Sequence, residues 1–431
     1  MSGSKTMPAV VERLRPARVE VAIEELSGPF GLGRYQGRVL MVPGTVPGDL
    51  IEAEIERDRG TYALATLRRV IEPAPARRSP PCPFLPRCGG CDWQQVVYPA
   101  QLAAKGRLLA QQFERGLGLR LQTNDLVQPA PREFGYRARV RLQVSSAGLL
   151  GFYRTGTNDL VPIDQCLLTV PELNLDVARA VVAALPGCEE LELVAAGVGP
   201  VAVAILNRRA QEQDQTRATR AIAQAGLAGL VVRARDRRIA VGEVETSLEL
   251  EPGLELRLAA DAFSQVNHQA NRALIAAVLE RVAQADARKV LDLYCGAGNF
   301  SLPLARRGLE VLGVDADALA IEAAERNARR LALPVRFVAM RAAELAPFLL
   351  RAGYRPDLAL LDPPRGGARP LMASLGRLRP RQVVYVSCDC ATVVRDLRLL
   401  CEQGYRLESV RGFDFFPNTH HLEVVAVALL T

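Results

Sequence analysis

Short apolar strands and longer helical segments alternate regularly from Phe263 to the C-terminus of this chain. The strand segments are KVLDLY, EVLGV, VRFVA, DLALLD and QVVYVS, and helical stretches such as DALAIEAAERNARRLAL lie between them. Because parallel neighbours need a crossover that is usually a helix, this order predicts a parallel, doubly wound sheet. Ligands bind such sheets at the carboxyl ends of the strands, so the polar residues that follow each strand are the candidates for a site.

The segments before this sheet have different patterns, and 431 residues exceed what one core usually supports. We expect a flexible tail over 1–15 and a small OB-like β-barrel over 16–74, where short alternating strands are separated by Gly and Pro. A central α+β domain follows over 75–262, and the Rossmann-like sheet occupies 263–431. The sequence therefore predicts a multidomain α/β protein.

Composition and charge restrict the setting and the partners. No apolar run is long enough to span a bilayer, and the first residues lack the apolar core of a signal peptide, so we expect a cytoplasmic protein with no membrane partner. Nine cysteines in that compartment favour metal or catalytic roles over disulfides. The net charge of +7 suits a polyanionic partner but also an ordinary basic surface. No obligate protein partner is evident, and we expect a monomer.

A glycine loop follows the first strand of the predicted sheet, in VLDLYCGAGNFSLPLA. Gly296 and Gly298 would let the backbone approach a ligand closely, and Asp315 ends the next strand, where an acid typically binds ribose hydroxyls. Ser301 replaces the third glycine of the dinucleotide fingerprint. This pattern favours a single-nucleoside cofactor such as S-adenosylmethionine, and the alternative is an ordinary tight turn.

Two further polar clusters follow strands of the same sheet. LALLDPPRGGA places Asp362 at the tip of the fourth strand, and VVYVSC places Cys388 at the tip of the fifth. Taken alone, Asp362 could be a helix cap and Cys388 a small buried residue. Because the carboxyl ends of parallel strands meet at one edge, we expect both residues and the glycine loop to converge on one crevice.

These blocks, together with FDFFPNTHHLE, resemble the signature sequences of the RNA (uracil-5-)methyltransferases. The resemblance implies an S-adenosylmethionine-dependent domain that methylates C5 of uridine. It implies Cys388 as the nucleophile that adds to C6, Glu423 as the base that removes the C5 proton, and Asp362 as the carboxylate that orients the target base. The cofactor-binding positions that it implies are Gln265, Tyr294, Gly296, Gly298, Asn299, Asp315 and Asp362.

The chain departs from the family pattern near the nucleophile. Asp389 and Cys390 stand where the family usually has Asn and Pro, and an acid beside a thiol raises the pKa of that thiol unless the acid faces away. Asn418 replaces a more common Gln, His or Tyr. The adenine-side position of the family falls at Arg341, and that contact stays open.

The adjacent histidines His420 and His421 precede Glu423 by a few residues. They could form a metal pair or supply a catalytic base, and we interpret them as structural neighbours of the Glu423 loop. Without the resemblance, Glu423 itself would be interpreted as a solvated carboxylate at the start of a strand.

A second group of cysteines lies upstream in CPFLPRCGGCDW, where Cys82, Cys88 and Cys91 have the spacing C-x5-C-x2-C. Cys166 is a fourth candidate ligand, and four thiolates could hold an iron–sulfur cluster or zinc. The pattern is similar to the [4Fe-4S] site in the large-subunit ribosomal RNA branch of the family, so we expect a [4Fe-4S] cluster rather than zinc. Trp93, next to this group, could stack on a base, although core packing is the favoured interpretation.

The barrel resembles the TRAM domain, an OB-like RNA-binding module, and the resemblance to the family extends from about Arg18 to the C-terminus. It implies 23S ribosomal RNA as the partner, with uridine 1939 as the target, flipped into the crevice. Two alternatives stay open. One is an exocyclic-amine RNA methyltransferase that uses the DPP turn, and the other is a non-catalytic, iron–sulfur RNA-binding factor.

Overall fold

The computed structural model describes residues 17–431, apart from the side chains of residues 343, 345 and 346. The tail predicted over 1–15 lies outside these residues, and the boundaries predicted at 74 and 262 stay predictions. Backbone contacts divide the chain into two compact units. One unit extends to Pro86 and includes Gly90–Ala104 and Asn418–His420, and the other comprises Arg87–Gly89, Lys105–Pro417 and His421–Thr431.

Five strands of the first unit form the barrel that the sequence predicts. They are β1 (Arg18–Ser27), β2 (Phe30–Tyr35), β3 (Arg38–Pro43), β4 (Leu50–Asp58) and β5 (Tyr62–Glu72). The barrel closes in the order β1-β2-β3-β5-β4. Alternate residues fill its interior, such as Val19, Val21 and Ile23 in β1. Closure pairs the edge strands, which would otherwise be exposed.

Trp93 also belongs to the first unit and is fully buried. Its indole Nε1–H donates to the carbonyl oxygen of Gly28, 3.1 Å away. A buried Trp needs such a partner for its polar N–H group. Trp93 therefore packs in the core rather than offering a stacking surface.

The middle of the chain contains three helices, a mixed sheet of seven strands, a separate hairpin and one further short strand. Its elements are α1 (Tyr98–Leu117), β6 (Val127–Gln128), β7 (Arg139–Val144), β8 (Leu150–Tyr153), β9 (Leu160–Pro162), α2 (Leu175–Ala184), β10 (Cys188–Val194), β11 (Val201–Leu206), α3 (Asp214–Ala225), β12 (Gly229–Arg233), β13 (Arg238–Gly242), β14 (Glu245–Glu251) and β15 (Leu254–Ala259). Seven strands pair in the order β13-β12-β11-β10-β7-β8-β9, and β14 pairs with β15.

The last part of the chain has the predicted alternation of strands and helices. Its elements are α4 (His268–Gln284), β16 (Lys289–Leu293), α5 (Ser301–Arg306), β17 (Glu310–Asp315), α6 (Ala318–Arg330), β18 (Val335–Ala339), α7 (Ala342–Arg351), β19 (Leu358–Leu361), a 3-10 turn (Arg369–Leu371), α8 (Met372–Leu378), β20 (Gln382–Ser387), α9 (Cys390–Cys401), β21 (Tyr405–Phe413) and β22 (Glu423–Leu430). No helix among the described residues is long and apolar enough to cross a bilayer.

The large sheet has the strand order β18-β17-β16-β19-β20-β22-β21-β6. Strands β16 to β20 are parallel, as predicted, whereas β22 pairs antiparallel with β20 and with β21. The connection over 414–422 joins neighbouring strands directly, and a crossover helix does not fit in so short a segment. Glu423 therefore enters the sheet from the edge at which β20 ends.

Both faces of this sheet are buried, which explains its nearly continuous apolar strands. On one face Leu293 and Tyr385 pack in a core with residues of α8 and α9. On the other face Val290 and Val384 pack with residues of α4, α5 and α6. The chain winds in opposite directions from β16, since β17 lies on one side and β19 on the other, and this switch point opens a crevice at the carboxyl ends.

A buried ion pair fixes the start of the segment that leads to Glu423. Lys105 Nζ on α1 lies 2.7 Å from Asp414 Oδ1 and 3.2 Å from the carbonyl oxygen of Phe416. The Asp414 N–H group donates to Gln128 O at 3.0 Å, and both charged side chains are almost completely buried. Removing one partner would leave the other charge buried without compensation.

We expect Lys105→Met to destabilise the protein by about 3–5 kcal/mol, because the Asp414 carboxylate would stay buried and lose its cation. Thermal and urea unfolding measure this change, and Lys105→Met/Asp414→Leu should recover part of it. The exposed pair Arg120–Glu114 provides the control. Arg120→Met should cost less than about 1 kcal/mol, and an equal loss in both single variants would contradict this assignment.

Candidate active site

Cys388 lies directly after β20, at the carboxyl edge of the large sheet. Strand β20 is fully buried along its length, and α9 begins two residues after the thiol. The Cys388 side chain itself is half-buried. The fold therefore presents this thiol from a rigid strand end toward the crevice.

Asp389, beside the thiol, is the N-cap of α9. Its Oδ1 accepts a hydrogen bond from the Thr392 N–H group at 2.9 Å, and its own N–H group donates to Ser387 Oγ at 3.1 Å. Burial, followed by the charge of Asp389, raises the pKa of the Cys390 thiol to about 12. Asp389 therefore stabilises the start of α9, and its charge raises the pKa of Cys390.

Three charged groups surround Cys388. Burial and the nearby carboxyl groups of Glu423 and Asp362 raise the pKa of the thiol. The positive charge of the Arg365 guanidinium opposes them. Sequence reasoning missed this role of Arg365, although its place in DPPRGGA, one turn after Asp362, could have indicated it.

The two acids at this edge have strongly raised pKa values. Burial and the Asp362 carboxylate, partly offset by the Arg365 guanidinium, raise the pKa of Glu423 to about 8. Burial also raises the pKa of Asp362 to about 7. Both groups therefore exchange a proton near neutral pH, which suits general acid–base chemistry.

The glycine loop lies between β16 and α5 and has an unusual backbone. Gly296 and Gly298 have φ values of +54° and +99°, and Tyr294 also has a positive φ, of 63°. The Gly296 N–H group donates to Asp315 Oδ2 at 2.9 Å, so the end of β17 holds the loop. No atom lies within 4 Å of the position that a Gly296 side chain would take, which leaves room for a ligand.

A carboxylate that sequence reasoning missed lies under this loop. Asp292, in β16, is completely buried, and Ser301 Oγ donates to its Oδ2. Its Oδ1 accepts no hydrogen bond from the described residues. Burial, partly offset by the Ser301 hydrogen bond and reinforced by Asp362 and Asp315, raises the pKa of Asp292 to about 7. An acid inside the apolar strand VLDLY was the signal that could have found it.

These features fit S-adenosylmethionine. The buried Asp292 Oδ1 could accept from an ammonium or hydroxyl group, and Asp315 stands at the strand end where ribose hydroxyls typically bind. The space next to Gly296 would admit a ligand against the backbone. The residues present therefore match a nucleoside cofactor that also carries an amino group.

The other predicted cofactor positions lie around α4 and the glycine loop. Asn299 and Asn271 of α4 form two reciprocal amide hydrogen bonds of 3.1 and 2.8 Å. Gln265 is half-buried in the segment before α4, whose N-cap is Asn267. Tyr294 is half-buried, and burial raises its pKa. Asn271 is thus a further polar residue beside the loop that the sequence did not indicate.

Gln94 connects two of the upstream cysteines, Cys82 and Cys91. Gln94 accepts from the Cys82 N–H group through Oε1 and donates to Cys91 Sγ through Nε2, each at 3.2 Å. The four predicted ligands are all half-buried thiols: Cys82, Cys88, Cys91 and Cys166. Within residues 17–431, no group of three or more His, Cys, Asp or Glu side chains is arranged to hold a metal ion.

The two histidines contact different residues. His420 Nδ1 lies 2.6 Å from Asp92 Oδ2, whereas the His421 ring packs edge-on against Phe416 with 6.0 Å between the ring centroids. Their interpretation as structural neighbours of the Glu423 loop stays a prediction.

Comparison with known proteins gives two family matches. The family described as tRNA (Uracil-5-)-methyltransferase matches residues 192–430, and the TRAM domain matches residues 13–67. The first match covers more than half of the chain and includes the carboxyl edge of the large sheet. The second covers most of the closed barrel.

Full-length relatives extend these matches. A protein of Pectobacterium atrosepticum named 23S rRNA (uracil(1939)-C(5))-methyltransferase RlmD is 34% identical over 93% of this chain and 91% of its own length. A protein of Pseudomonas putida with the same name is 36% identical over 94% and 92%. The fold is similar to the crystal structure of Pyrococcus abyssi tRNA (uracil-54, C5)-methyltransferase in complex with S-adenosyl-L-homocysteine. That comparison has a TM-score of 0.76, 23% identity, and coverage of 95% of this chain and 99% of the other.

The raised pKa of Glu423 makes stability depend on pH. The folded state holds the proton up to about pH 8, whereas an ordinary glutamate loses it near 4.5. Stability should therefore fall as pH rises through this window, by a few kcal/mol in total. We expect the unfolding temperature to fall less between pH 5 and pH 8.5 in Glu423→Gln than in the unmodified protein. Glu322→Gln, on the exposed side of α6, should behave like the unmodified protein, and equal pH slopes in all three would contradict this assignment.

Proposed function

This chain belongs to the tRNA (uracil-5-)-methyltransferase family, and we propose that it transfers a methyl group from S-adenosylmethionine to C5 of a uridine in 23S ribosomal RNA. The relatives that are 34% and 36% identical over almost the whole chain carry the name of the enzyme for uridine 1939, which supports that uridine as the target. The observation that carries the proposal is the convergence of Cys388, Asp362 and Glu423 beside the glycine loop.

The thiol begins the reaction because C5 of uracil is a weak nucleophile. The Cys388 thiolate adds to C6 and forms a carbon–sulfur bond, while the C5–C6 double bond becomes an enolate with negative charge at C5 and O4. Arg365 favours the thiolate form of Cys388 through its positive charge. Asp362, at the carboxyl end of β19, would bind the polar edge of the uracil ring and orient it.

The cofactor supplies, when bound, a methyl group on a positively charged sulfonium. The C5 carbanion would accept that methyl group, and the electron pair of the methyl–sulfur bond would remain on the cofactor sulfur. Asp292, Asp315 and the Gly296 backbone would hold the amino acid and ribose groups. Asn299, Gln265 and Tyr294 line the same region and complete the proposed set of cofactor contacts.

Glu423 would complete the cycle as the general base. It removes the C5 proton, the C5–C6 double bond re-forms, and the bond between C6 and Cys388 Sγ breaks to release the thiolate. With a pKa of about 8, Glu423 is a stronger base than an exposed glutamate once it is ionised. Its position on β22 places it on the same edge as the thiol, because β22 pairs antiparallel with β20 and Ser387 lies opposite Val424.

Exposed basic and aromatic residues support binding of RNA. Arg209, Arg233, Arg235 and Arg237 are exposed around the outer strands β12 and β13 of the central sheet, where they could neutralise phosphates. Phe263 exposes 80% of its surface two residues before Gln265, and an exposed ring of this kind can stack on an unpaired base. The target uridine would leave its stack to reach Cys388.

We also propose, from the sequence, that Cys82, Cys88, Cys91 and Cys166 bind a [4Fe-4S] cluster. Their spacing and the resemblance to the ribosomal RNA branch support this proposal, whereas the arrangement of the described side chains gives it no support. The thiolate ligands suit iron–sulfur clusters as well as zinc. A cytoplasmic location and a monomeric state likewise stay predictions.

Anaerobic purification with metal analysis tests the cluster. We expect about four iron atoms per chain, absorbance near 400 nm, and loss of both in Cys88→Ser. Cys188→Ser, at a buried thiol in β10, is the matched control and should retain the iron. If the analysis finds one zinc atom per chain and no iron, the four cysteines form a zinc site and the cluster proposal is wrong.

Two substitutions test the methyl transfer itself. In a strain that lacks this protein, Cys388→Ala should leave uridine 1939 unmethylated, because no group would add to C6. Cys390→Ala should restore 5-methyluridine, since that thiol is a core residue with a pKa of about 12. Nucleotide-resolution mapping of 5-methyluridine in 23S ribosomal RNA measures both results.

Trapping on 5-fluorouridine RNA separates the competing functions. Fluorine at C5 cannot leave as a cation, so the covalent complex should persist with the unmodified protein and with Cys390→Ala and be absent with Cys388→Ala. Methylation without a trapped complex would favour an exocyclic-amine methyltransferase. No transfer of labelled methyl groups to any RNA would favour the non-catalytic factor.

A further inference from the structure

A buried carboxylate that has no part in the proposed chemistry lies behind the segment 362–368. Asp396, on α9, is completely inaccessible to solvent. Its Oδ2 accepts a hydrogen bond from the Ala368 N–H group at 2.6 Å and from the Tyr385 hydroxyl at 2.7 Å. One carboxylate oxygen thus connects the segment that carries Arg365 with strand β20.

The second oxygen of this carboxylate extends the same attachment. Asp396 Oδ1 accepts from Arg395 Nε at 2.8 Å, and Arg395 Nη2 donates to the carbonyl oxygen of Gly366 at 2.9 Å. Gly367, between the two attached residues, has a φ of +75°, and a Cβ there would lie 2.6 Å from Asp396 Oδ2. The backbone therefore lies directly on the Asp396–Arg395 pair, and no larger residue fits at Gly367.

Asp396 connects the two parts of the structure that carry the thiol and its cation. Tyr385 precedes Cys388 by three residues on β20, and α9 begins two residues after the thiol. Arg365 lies one residue before Gly366 on the segment that Asp396 and Arg395 hold. The distance between the Arg365 guanidinium and Cys388 Sγ therefore depends on this attachment.

We propose that Asp396 is a positioning residue for the nucleophile: it holds residues 366–368 so that the Arg365 guanidinium stays beside Cys388 Sγ. The proposal rests on the proposed role of Cys388. The charged groups that face the thiol are Glu423 from β22 and Asp362 and Arg365 from the segment after β19. Asp362 is held separately, through its N–H group and the carbonyl oxygen of Leu293, so loss of Asp396 acts mainly through Arg365.

Asp396→Asn provides the test because it keeps the shape of the side chain. The amide can offer only one acceptor oxygen, so its nitrogen meets either Arg395 or the donors Ala368 N–H and Tyr385 O–H. The segment should shift and Arg365 should lose its position beside the thiol. We expect alkylation of Cys388 by iodoacetamide at pH 8 to slow about tenfold, and its pH midpoint to rise by about one unit. Mass spectrometry of the Cys388 peptide measures this rate directly.

Asp357→Asn is the matched control. Asp357 also accepts hydrogen bonds from backbone N–H groups, those of Arg288 and Lys289 at 2.9 Å, and lies next to Arg381. It stands at the opposite end of β19, one residue before the strand begins. Asp357→Asn should leave the pH profile of Cys388 alkylation unchanged. This result would show that the change in Asp396→Asn does not follow from the loss of any carboxylate that binds backbone N–H groups.

A double variant separates positioning from a purely structural role. Arg365→Gln alone should slow alkylation of Cys388 as much as Asp396→Asn does or more, and Asp396→Asn/Arg365→Gln should be no slower than Arg365→Gln. The proposal would be overturned if the fold-decreases in the rate of Cys388 alkylation multiply in the double variant. An unchanged alkylation profile in folded Asp396→Asn would overturn it as well. If Asp396→Asn shows no cooperative unfolding, Tyr385→Phe replaces it. A smaller rise of the same midpoint is then expected, and no rise overturns the proposal.

The outcome is independent of the proposed function because alkylation needs neither RNA nor cofactor. If the unmodified protein forms no complex with 5-fluorouridine RNA while Asp396→Asn still slows alkylation, the proposed methyl transfer fails and the positioning role stands. If the complex forms and Asp396→Asn alkylates at the unmodified rate, the positioning role alone fails.

Discussion

The electrostatic balance at Cys388 Sγ is the constraint on which the carboxyl edge of the sheet depends. The thiol lies at an edge that also contains Glu423 and Asp362, and burial and both acids raise its pKa. The positive charge of Arg365 opposes this rise. The acids themselves have raised pKa values of about 8 and 7, so much of their negative charge is absent at neutral pH. Because protonated acids repel a thiolate less, these pKa shifts lower the free-energy cost of ionising Cys388 beside two carboxyl groups.

The sheet creates this balance by bringing together residues that are far apart in the chain. Strands β16, β17, β19 and β20 are parallel, so the glycine loop, Asp315, Asp362 and Cys388 lie at the same edge. The antiparallel strand β22 begins at that edge rather than ending there, and it contributes Glu423 from its first position. One reversal of strand direction thus adds the proposed base to a site that parallel strands had already formed.

The two departures from the family pattern beside Cys388 have local explanations. Asp389 caps α9 with its side chain, a role in which Asp and Asn are almost equivalent. The positive end of the helix dipole stabilises the negative charge that Asp adds there. Cys390 occupies the first position of that helix, where Pro is common because the N–H group there needs no partner within the helix. The Cys390 side chain instead packs against the apolar core. Neither change requires a different reaction.

The sequence by itself determined the barrel, the order of strands and helices, and the residues at the strand tips, because hydrophobic periodicity and turn residues act locally. It also identified the family through short motifs around Gly296, Asp362 and Cys388. Only the tertiary structure decided the surroundings of those residues. The unpaired Asp292 oxygen, the cation at Arg365 and the attachment of its segment to Asp396 arise from contacts between distant elements. Burial and neighbouring charges set the pKa values, and neither follows from spacing along a chain.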